Sequence, residues 1–223
     1  IKEVSSTSTG ELKIGFLGTA SQSFLSDFVM GFTASHPQIK LSMTSDALDI
    51  LVKQLNDGLT DLAFVTHVDK NYLIGLESKT IMKSPLIAVM HPTHALASRD
   101  SLSVKDLSGF PMINFSPQAN PITSDFNKQI FKKAGAQLNI VREIPNIETA
   151  AFCASINEGI FIMPEYLRSS IGSLRTIPLS DPFAYVTLNL IWKKKNPNIS
   201  IPVFVDSFST YIQNRNPDQA PDD

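Results

Sequence analysis

The sequence lacks the features that mark secreted, membrane-spanning and nucleic-acid-binding chains. Only one cysteine, Cys153, occurs in 223 residues, so an internal disulfide is excluded. No hydrophobic run is long enough to span a membrane, and no signal peptide opens the chain as given. The formal net charge of -2 and the pI near 6.1 leave no broad basic face for nucleic acid. No helix-turn-helix pattern is found, and we predict no membrane partner.

Motifs for catalysis are also scarce. No Gly-x-Ser-x-Gly elbow surrounds any serine, and no glycine-rich phosphate loop is present. Asp46 with Asp49, and Asp57 with Asp61, fit helix caps and solvated helix ends, so an acid–base pair cannot be inferred from them. We therefore predict no catalytic residue and no cofactor.

Three further polar or reactive features each have a plain structural explanation. His91 and His94 lie in a predicted loop without a nearby cysteine or carboxylate cluster, which favours loop histidines over a metal site. Cys153 sits in an apolar helix pattern, which favours a buried small side chain over a redox sensor. The run at residues 193–195, three lysines, is typical of a solvated strand end more than of a nucleic-acid patch. We predict no bound metal.

Residues 12–65 carry the most informative pattern, because short apolar segments alternate there with helix-like segments. Pro37 ends the first helix pattern and Gly58 ends the second. The order strand, helix, strand, helix, strand predicts a parallel sheet whose loops at one edge form a ligand site. The predicted strands cover 12–16, 39–43 and 62–65, and the predicted helices cover 24–32 and 48–55.

The second half of the chain repeats this α/β architecture. The pattern predicts two similar lobes joined by two crossings, near Lys83 and near Asn196, with a cleft between them. The first lobe takes 11–83 plus 197–213 and the second takes 84–196, while 1–10 is a linker remnant and 214–223 a disordered tail. The predicted strands cover 86–90, 112–115, 140–144, 160–163 and an antiparallel segment at 184–192, and the predicted helices cover 124–134, 146–156 and 203–212.

Several motifs occur in an order and spacing that resemble a known family. They include Ile14-Gly15-Phe16, Thr19-Ala20, Pro37, Gly58-Leu59-Thr60-Asp61, His91-Pro92-Thr93-His94-Ala95-Leu96, the segment 102–107 followed by Pro111, and Glu158-Gly159-Ile160 running to Met163-Pro164. Over about residues 11–213 the chain resembles the effector-binding domain of LysR-type transcriptional regulators.

This resemblance implies a fold and a function. The fold is α/β, with two Rossmann-like lobes joined by two crossover strands, the type 2 periplasmic-binding-protein architecture. The function is to bind a small-molecule effector in the inter-lobe cleft and so modulate DNA binding by an N-terminal winged helix, which this fragment lacks. The resemblance also implies a cytoplasmic homodimer or homotetramer, for which the exposed face of the helix at 25–34 is a candidate interface.

Polar loops at the predicted sheet edge are the candidate effector site. Helix N-termini at Ser21, Ser45 and Thr149 would offer unpaired N–H groups to an anion, and Phe115 and Ile147 would supply apolar contact. The full candidate set is Thr19, Ala20, Ser21, Ser23, Ser45, Thr66, Phe115, Ser116, Pro121, Thr123, Ile147 and Thr149.

The loop Phe115-Ser116-Pro117 through Pro121 resembles that of regulators of aromatic-compound catabolism. In that subgroup a hydroxyl residue opens the second helix and an arginine lies near the pocket, whereas Leu48 and Thr66 occupy these positions here. We therefore predict a neutral or singly charged effector over a dianion. Two alternatives remain open: a periplasmic solute-binding protein of a transporter, and an enzyme on this fold such as a deaminase or dehydratase.

Overall fold

The structure is a computed structural model that describes residues 10–17, 22–66 and 73–215, without the side chains of 22–24 and 215. The chain divides into two compact units, the first formed by residues up to Lys83 and from Thr187 onward, the second by Ser84–Val186. The strands are β1 (Gly10–Phe16), β2 (Ile39–Ser45), β3 (Leu62–Thr66), β4 (Leu76–Met90), β5 (Pro111–Phe115), β6 (Asn139–Ile144), β7 (Phe161–Pro164), β8 (Arg175–Pro178) and β9 (Tyr185–Lys193). The helices are α1 (Gln22–Ser35), α2 (Leu48–Asp57), α3 (Pro121–Ala134), α4 (Ile147–Ser155) and α5 (Ser200–Arg215).

Unit 1 is built on a sheet with the strand order β2-β1-β3-β9. Strands β1, β2 and β3 are parallel, with Phe16 opposite Ser45 on one side and Phe64 on the other. Strand β9 is antiparallel to β3. The carboxyl ends of the three parallel strands therefore meet at one edge of the sheet, as the alternating pattern at 12–65 predicts.

Aromatic side chains hold α1 and α5 against this sheet. The ring of Phe28 in α1 lies 4.8 Å from that of Phe208 in α5, centroid to centroid, and Phe64 of β3 lies 4.9 Å from Phe208. All three rings are at most 5% exposed. Burying rings of this size is the main driving force for packing here.

Helix α2 packs closely against β1 at Gly15. A Cβ added to Gly15 would lie 2.5 Å from Leu51 Cδ2, well inside van der Waals contact. At the other end of α2, Gly58 adopts the left-handed conformation, with φ at 71°, and its N–H bonds the last turn of the helix. Gly15 thus leaves room for the Leu51 side chain, and Gly58 supplies the left-handed residue that ends α2.

Unit 2 contains a two-stranded parallel sheet of β5 and β6 and a second, antiparallel group of strands. In the latter, residues 86–90 of β4 pair with β7 on one side and β8 on the other. Ile160 links the two groups, because its N–H donates to Pro111 O and its carbonyl accepts from Ile113 N–H. A cluster of buried apolar side chains in this unit includes Leu86, Met90, Met112, Phe131 and Ile162.

Each segment predicted as a helix or a strand is found, with ends that differ by a few residues. The sequence patterns missed the first half of β4, strand β8, and the short 3-10 helices at Val104–Leu107 and Glu165–Ile171. The second crossing lies at Val186/Thr187 rather than near Asn196, because residues 188–192 of β9 pair with β3 and so belong to unit 1. Most of the predicted linker and tail lies outside the described residues, although Gly10 opens β1 and α5 continues to Arg215.

Candidate functional site

In unit 1, two of the predicted site residues close strands at the carboxyl edge of the sheet. Ser45 is the last residue of β2 and Thr66 is the last residue of β3. In open α/β sheets, ligands bind outside the carboxyl ends of parallel strands. Thr19, Ala20 and Ser21 lie outside the described residues. Ser23 belongs to the first turn of α1, but its side chain is outside the description as well.

The prediction that Ser45 marks a helix N-terminus is wrong. Helix α2 begins at Leu48, its N-cap is Ala47, and no side chain caps it. Ser45 is still part of β2, because the N–H of Asp46 donates to Phe16 O of β1 at 3.2 Å and so holds the chain in the sheet up to that point.

Asp46 is held by a side-chain relay instead of capping α2. The Gln54 Nε2 group donates to Asp46 Oδ2 at 2.9 Å, and Gln54 Oε1 accepts from Thr60 Oγ1 at 3.0 Å. Thr60 is only 3% exposed, so the relay is anchored in the interior. It fixes a carboxylate directly after β2.

In unit 2, the loop after β5 and the helix after β6 lie at the same end of the small parallel sheet. Phe115, the last residue of β5, is opposite Ile144, the last residue of β6. The N–H of Ser116 donates to Ile144 O at 2.8 Å. The Ser116 hydroxyl accepts from the N–H groups of Gln118 and Ala119 and donates to Gln118 Oε1, which folds the loop into a compact turn.

Two asparagines cap the helices at this edge in the same way. Asn120 Oδ1 accepts from the N–H of Thr123 at 3.1 Å, and Asn146 Oδ1 accepts from the N–H of Thr149 at 2.9 Å. The Thr149 hydroxyl also donates to Asn146 Oδ1. The prediction of an unpaired N–H at Thr149 is therefore wrong, because the N-cap side chain already satisfies that donor.

The structure also places the apolar and proline members of the predicted set. Pro121 is the first residue of α3, where its missing N–H costs nothing. Phe115 and Ile147 are 8% and 6% exposed. Little of either side chain is therefore open to solvent, and their apolar contact with an effector stays a prediction.

Sequence reasoning missed the roles of Asn120, Asn146, Gln54 and Thr60. A signal for the first two exists, since both helices begin with the same Asn-x-x-Thr spacing, in Asn120 to Thr123 and in Asn146 to Thr149. The link from Asp46 through Gln54 to Thr60 joins residues eight and six positions apart. No local sequence motif predicts this link.

Cys153 is buried next to an ion pair. Glu158 accepts hydrogen bonds from Arg142, with Arg142 Nε at 2.8 Å, and this contact holds the pKa of the Glu158 carboxyl below its usual value. Burial, followed by the hydrogen bond with Glu158, raises the pKa of the Cys153 thiol. A protonated thiol is a poor nucleophile, which favours the structural interpretation of this cysteine.

The two loop histidines are engaged locally. His91 Nδ1 lies 2.8 Å from Thr93 Oγ1, and His94 Nδ1 accepts from Leu96 N–H at 3.2 Å. Burial lowers the pKa of His94. Within residues 10–17, 22–66 and 73–215, no group of three or more His, Cys, Asp or Glu side chains is arranged to hold a metal ion.

Two lysines of the run at the end of β9 form polar contacts within unit 1. Lys193 Nζ donates to Asn56 O at 2.8 Å, and Lys194 Nζ lies 3.8 Å from Glu77 Oε1. No helix in the described part of the chain is long and apolar enough to cross a membrane.

Comparisons with known proteins identify relatives over most of the chain. The sequence model of a family described as LysR substrate binding domain matches residues 5–211. HTH-type transcriptional regulator AlsR of Bacillus subtilis (strain 168) is 26% identical over 201 residues, which are 88% of this chain and 65% of AlsR. YwbI of the same strain, an uncharacterized HTH-type transcriptional regulator, is 24% identical over 196 residues, 87% of this chain and 64% of YwbI. The chain thus spans about 64–65% of the length of these relatives.

Solved structures share the fold at low sequence identity. The BenM effector binding domain with its effector benzoate has a TM-score of 0.81 at 18% identity, covering 92% of this chain and 93% of that one. The effector binding domain of QuiR in complex with shikimate has a TM-score of 0.77 at 23% identity, covering 93% of this chain and 99% of that one. These matches confirm the mixed α/β fold of type 2 periplasmic-binding-like effector domains.

Proposed function

Because the chain belongs to the LysR substrate binding domain family, we propose that it is the effector-sensing part of a LysR-type transcriptional regulator acting in the cytoplasm. The match to residues 5–211 carries this proposal. The relatives named above are HTH-type regulators, so a solute-binding protein of a transporter is not favoured. We further propose that DNA is read by a winged helix in the part of the regulator that corresponds to the relatives' remaining length.

We propose effector-binding residues at the carboxyl edge of each unit. In unit 1 these are Ser45 and Thr66, and in unit 2 they are Ser116, Pro121, Thr123 and Thr149 together with Phe115 and Ile147. The proposed set also includes Thr19, Ala20, Ser21 and Ser23. Carboxyl edges of parallel strands support this assignment because strand ends and helix starts converge there.

The effector is proposed to be neutral or singly charged. A dicarboxylate is best recognised by a guanidinium, which binds a carboxylate with two parallel hydrogen bonds. Thr66, at the end of β3, offers one hydroxyl instead. The edge of unit 2 favours an anion weakly through the positive ends of α3 and α4.

Isothermal titration with a panel of small acids tests the proposal, starting with benzoate, shikimate and their dicarboxylate analogues. We expect a monoacid to bind more tightly than its dicarboxylate analogue. The variant Thr66→Arg should reverse that order by about tenfold or more. Thr210→Arg adds the same charge on α5 and should leave the order unchanged. If the folded chain binds no small molecule of any charge class, the proposed function is wrong.

Effector binding is proposed to act by shifting a conformational equilibrium, which requires different affinities for the two states. We propose a homodimer or homotetramer in which α1 contributes to the interface. Met30 in α1 is 67% exposed, so its side chain is open to a contact on the outer face of this helix. Sedimentation of wild type and Met30→Glu should show dissociation of the variant. A wild-type chain that remains monomeric at high concentration would remove the interface proposal.

A further inference from the structure

The carboxylate of Asp46 has a fixed position and no positively charged partner among the described residues. Its Oδ2 accepts from Gln54 Nε2 at 2.9 Å, while Oδ1 takes no hydrogen bond from any residue that the structure describes. No lysine or arginine forms an ion pair with Asp46 among the described residues. Asp46 therefore presents a free acceptor oxygen and a negative charge directly after β2.

The relay that fixes Asp46 is more elaborate than a helix start needs. A capping residue would serve α2 by accepting one of its first N–H groups, and Asp46 does not do so. Instead the Gln54 side chain joins Asp46 to the buried Thr60 hydroxyl. The main-chain carbonyl of Gln54 also accepts from the N–H groups of Leu59 and Thr60. Both ends of the loop–helix–loop segment are thus bound to one residue, which leaves the carboxylate little freedom.

From this geometry we propose that Asp46 selects effectors that carry a hydrogen-bond donor, a hydroxyl or an ammonium group, in addition to any single carboxylate. Gln54 is the positioning residue that aims the carboxylate. The inference rests on the proposed function, because it places Asp46 at the carboxyl edge where that function puts the ligand.

The physical reason is that a free carboxylate oxygen discriminates strongly between a ligand group that donates a hydrogen bond and an apolar group in the same place. A donor that reaches Oδ1 gains a charge-assisted hydrogen bond, whereas an apolar group placed there removes water from a charge and gives nothing in return. A second carboxylate on the ligand is repelled by the same charge. Asp46 thus favours hydroxylated or aminated monoacids over both bare monoacids and dianions.

Titration of matched pairs on the 223-residue chain tests the proposal. For the hydroxyl source the pair is shikimate and cyclohex-1-ene-1-carboxylate, which is the same ring acid without hydroxyls. For the ammonium source the pair is L-leucine and 4-methylpentanoate. Further hydroxy and amino monoacids, each with its deoxy or deamino analogue, extend the panel. In one of the two series we expect the donor-bearing member to bind about tenfold or more tightly than its analogue.

Variants then assign the preference to Asp46. Asp46→Asn keeps an oxygen for Gln54 but loses the charge, and it should bring the two members of a pair within about twofold of each other. Asp49→Asn removes an exposed carboxylate from the first turn of the same helix and should keep the wild-type ratio. Gln54→Met should reduce the ratio between the members, whereas a merely structural role would weaken both members equally.

The outcomes separate this inference from the proposed function. If acids bind but paired members bind equally, or if Asp46→Asn keeps the wild-type ratio, Asp46 does not select the effector and the proposed function stands. If the folded chain binds no acid of this panel and no small molecule of any other charge class, both are overturned. If the ratio collapses in Asp46→Asn and survives in Asp49→Asn, the inference holds.

Discussion

Replacing Gly159 by alanine should destabilise the protein through a single steric contact. An added Cβ would lie 2.7 Å from Pro111 O, 3.2 Å from Pro111 C and 3.3 Å from Ile113 Cγ1. The backbone of Gly159 is outside the left-handed region, so alanine can adopt its φ without strain. The nearest obstacle is a main-chain carbonyl that accepts the Ile160 N–H at 2.9 Å, and moving it would stretch the link between β5 and Ile160.

The magnitude follows from these contacts. Overpacking a rigid site costs about 1–3 kcal/mol, and weakening one backbone hydrogen bond adds about 1 kcal/mol. Alanine also lowers the conformational entropy of the unfolded chain, which stabilises the folded protein by about 0.4–1 kcal/mol. We therefore expect Gly159→Ala to lower the free energy of unfolding by about 1–3.5 kcal/mol, the sum of these three contributions.

Urea denaturation followed by circular dichroism measures this change. Gly31→Ala is the matched control, because no atom lies within 4 Å of the added Cβ and Gly31 is interior to α1. That variant should be more stable than wild type by about 0.5–1 kcal/mol. The steric reasoning fails if Gly159→Ala unfolds within about 0.5 kcal/mol of wild type, the range of a neutral surface substitution.

Three further predictions concern caps, the thiol and acid stability. Asn146→Ala should lower the free energy of unfolding by about 1 kcal/mol, whereas Asn146→Asp, which keeps the acceptor oxygen, should stay near wild type in the same urea titration; equal losses in both variants would contradict the capping role. Cys153 in the folded chain should react with iodoacetamide at pH 8 at least about tenfold more slowly than in the urea-unfolded chain, since burial holds the thiol protonated, and equal rates would refute this. Arg142 lowers the pKa of Glu158. The ion pair therefore stabilises the fold at pH values above the carboxyl's ordinary pKa of 4.5, and this stabilisation is lost as the pH falls through the lowered pKa of the folded chain. The stability difference between wild type and Arg142→Met should therefore be present at pH 7 and shrink in acid, and a difference independent of pH would exclude the ion pair as its cause.

The periodic segments of this chain were predictable because burial dictates their pattern. Strand β3 is buried at Leu62, Ala63, Phe64 and Val65, and such a run between turn signals reads as a strand. The first half of β4 was missed because its exposure alternates irregularly, with Glu77 and Lys79 partly exposed and Lys83 exposed. Its side chains pair through tertiary contacts, such as the Thr80 Oγ1 hydrogen bond to Asn189 Oδ1 at 2.8 Å, which no local window contains.

The candidate site was harder to predict than the fold because a polar residue beside a helix has several possible partners. Ser45, Asp46 and Ala47 all precede α2, and composition favours the serine or the aspartate as the cap. In the structure Ala47 is the N-cap, because both polar groups of Asp46 have other partners. Its N–H donates to Phe16 O, and its carboxylate accepts from Gln54 Nε2. Sequence spacing alone cannot rank a cap against such long-range partners.

The asparagine cap of α3 limits the class of anion that this helix start in unit 2 can bind. We count the N–H donors among the first three residues of α3. Pro121 has no N–H, and the N–H of Thr123 already donates to Asn120. Among these three residues, only the N–H of Ile122 is not used by the cap. Phosphate and sulfate are held at helix N-termini by several N–H groups together, and a start with one remaining donor cannot supply them. A single carboxylate oxygen needs only one or two donors. The capped start of α3, which begins with Pro121, therefore disfavours inorganic anions and is compatible with an organic monoacid.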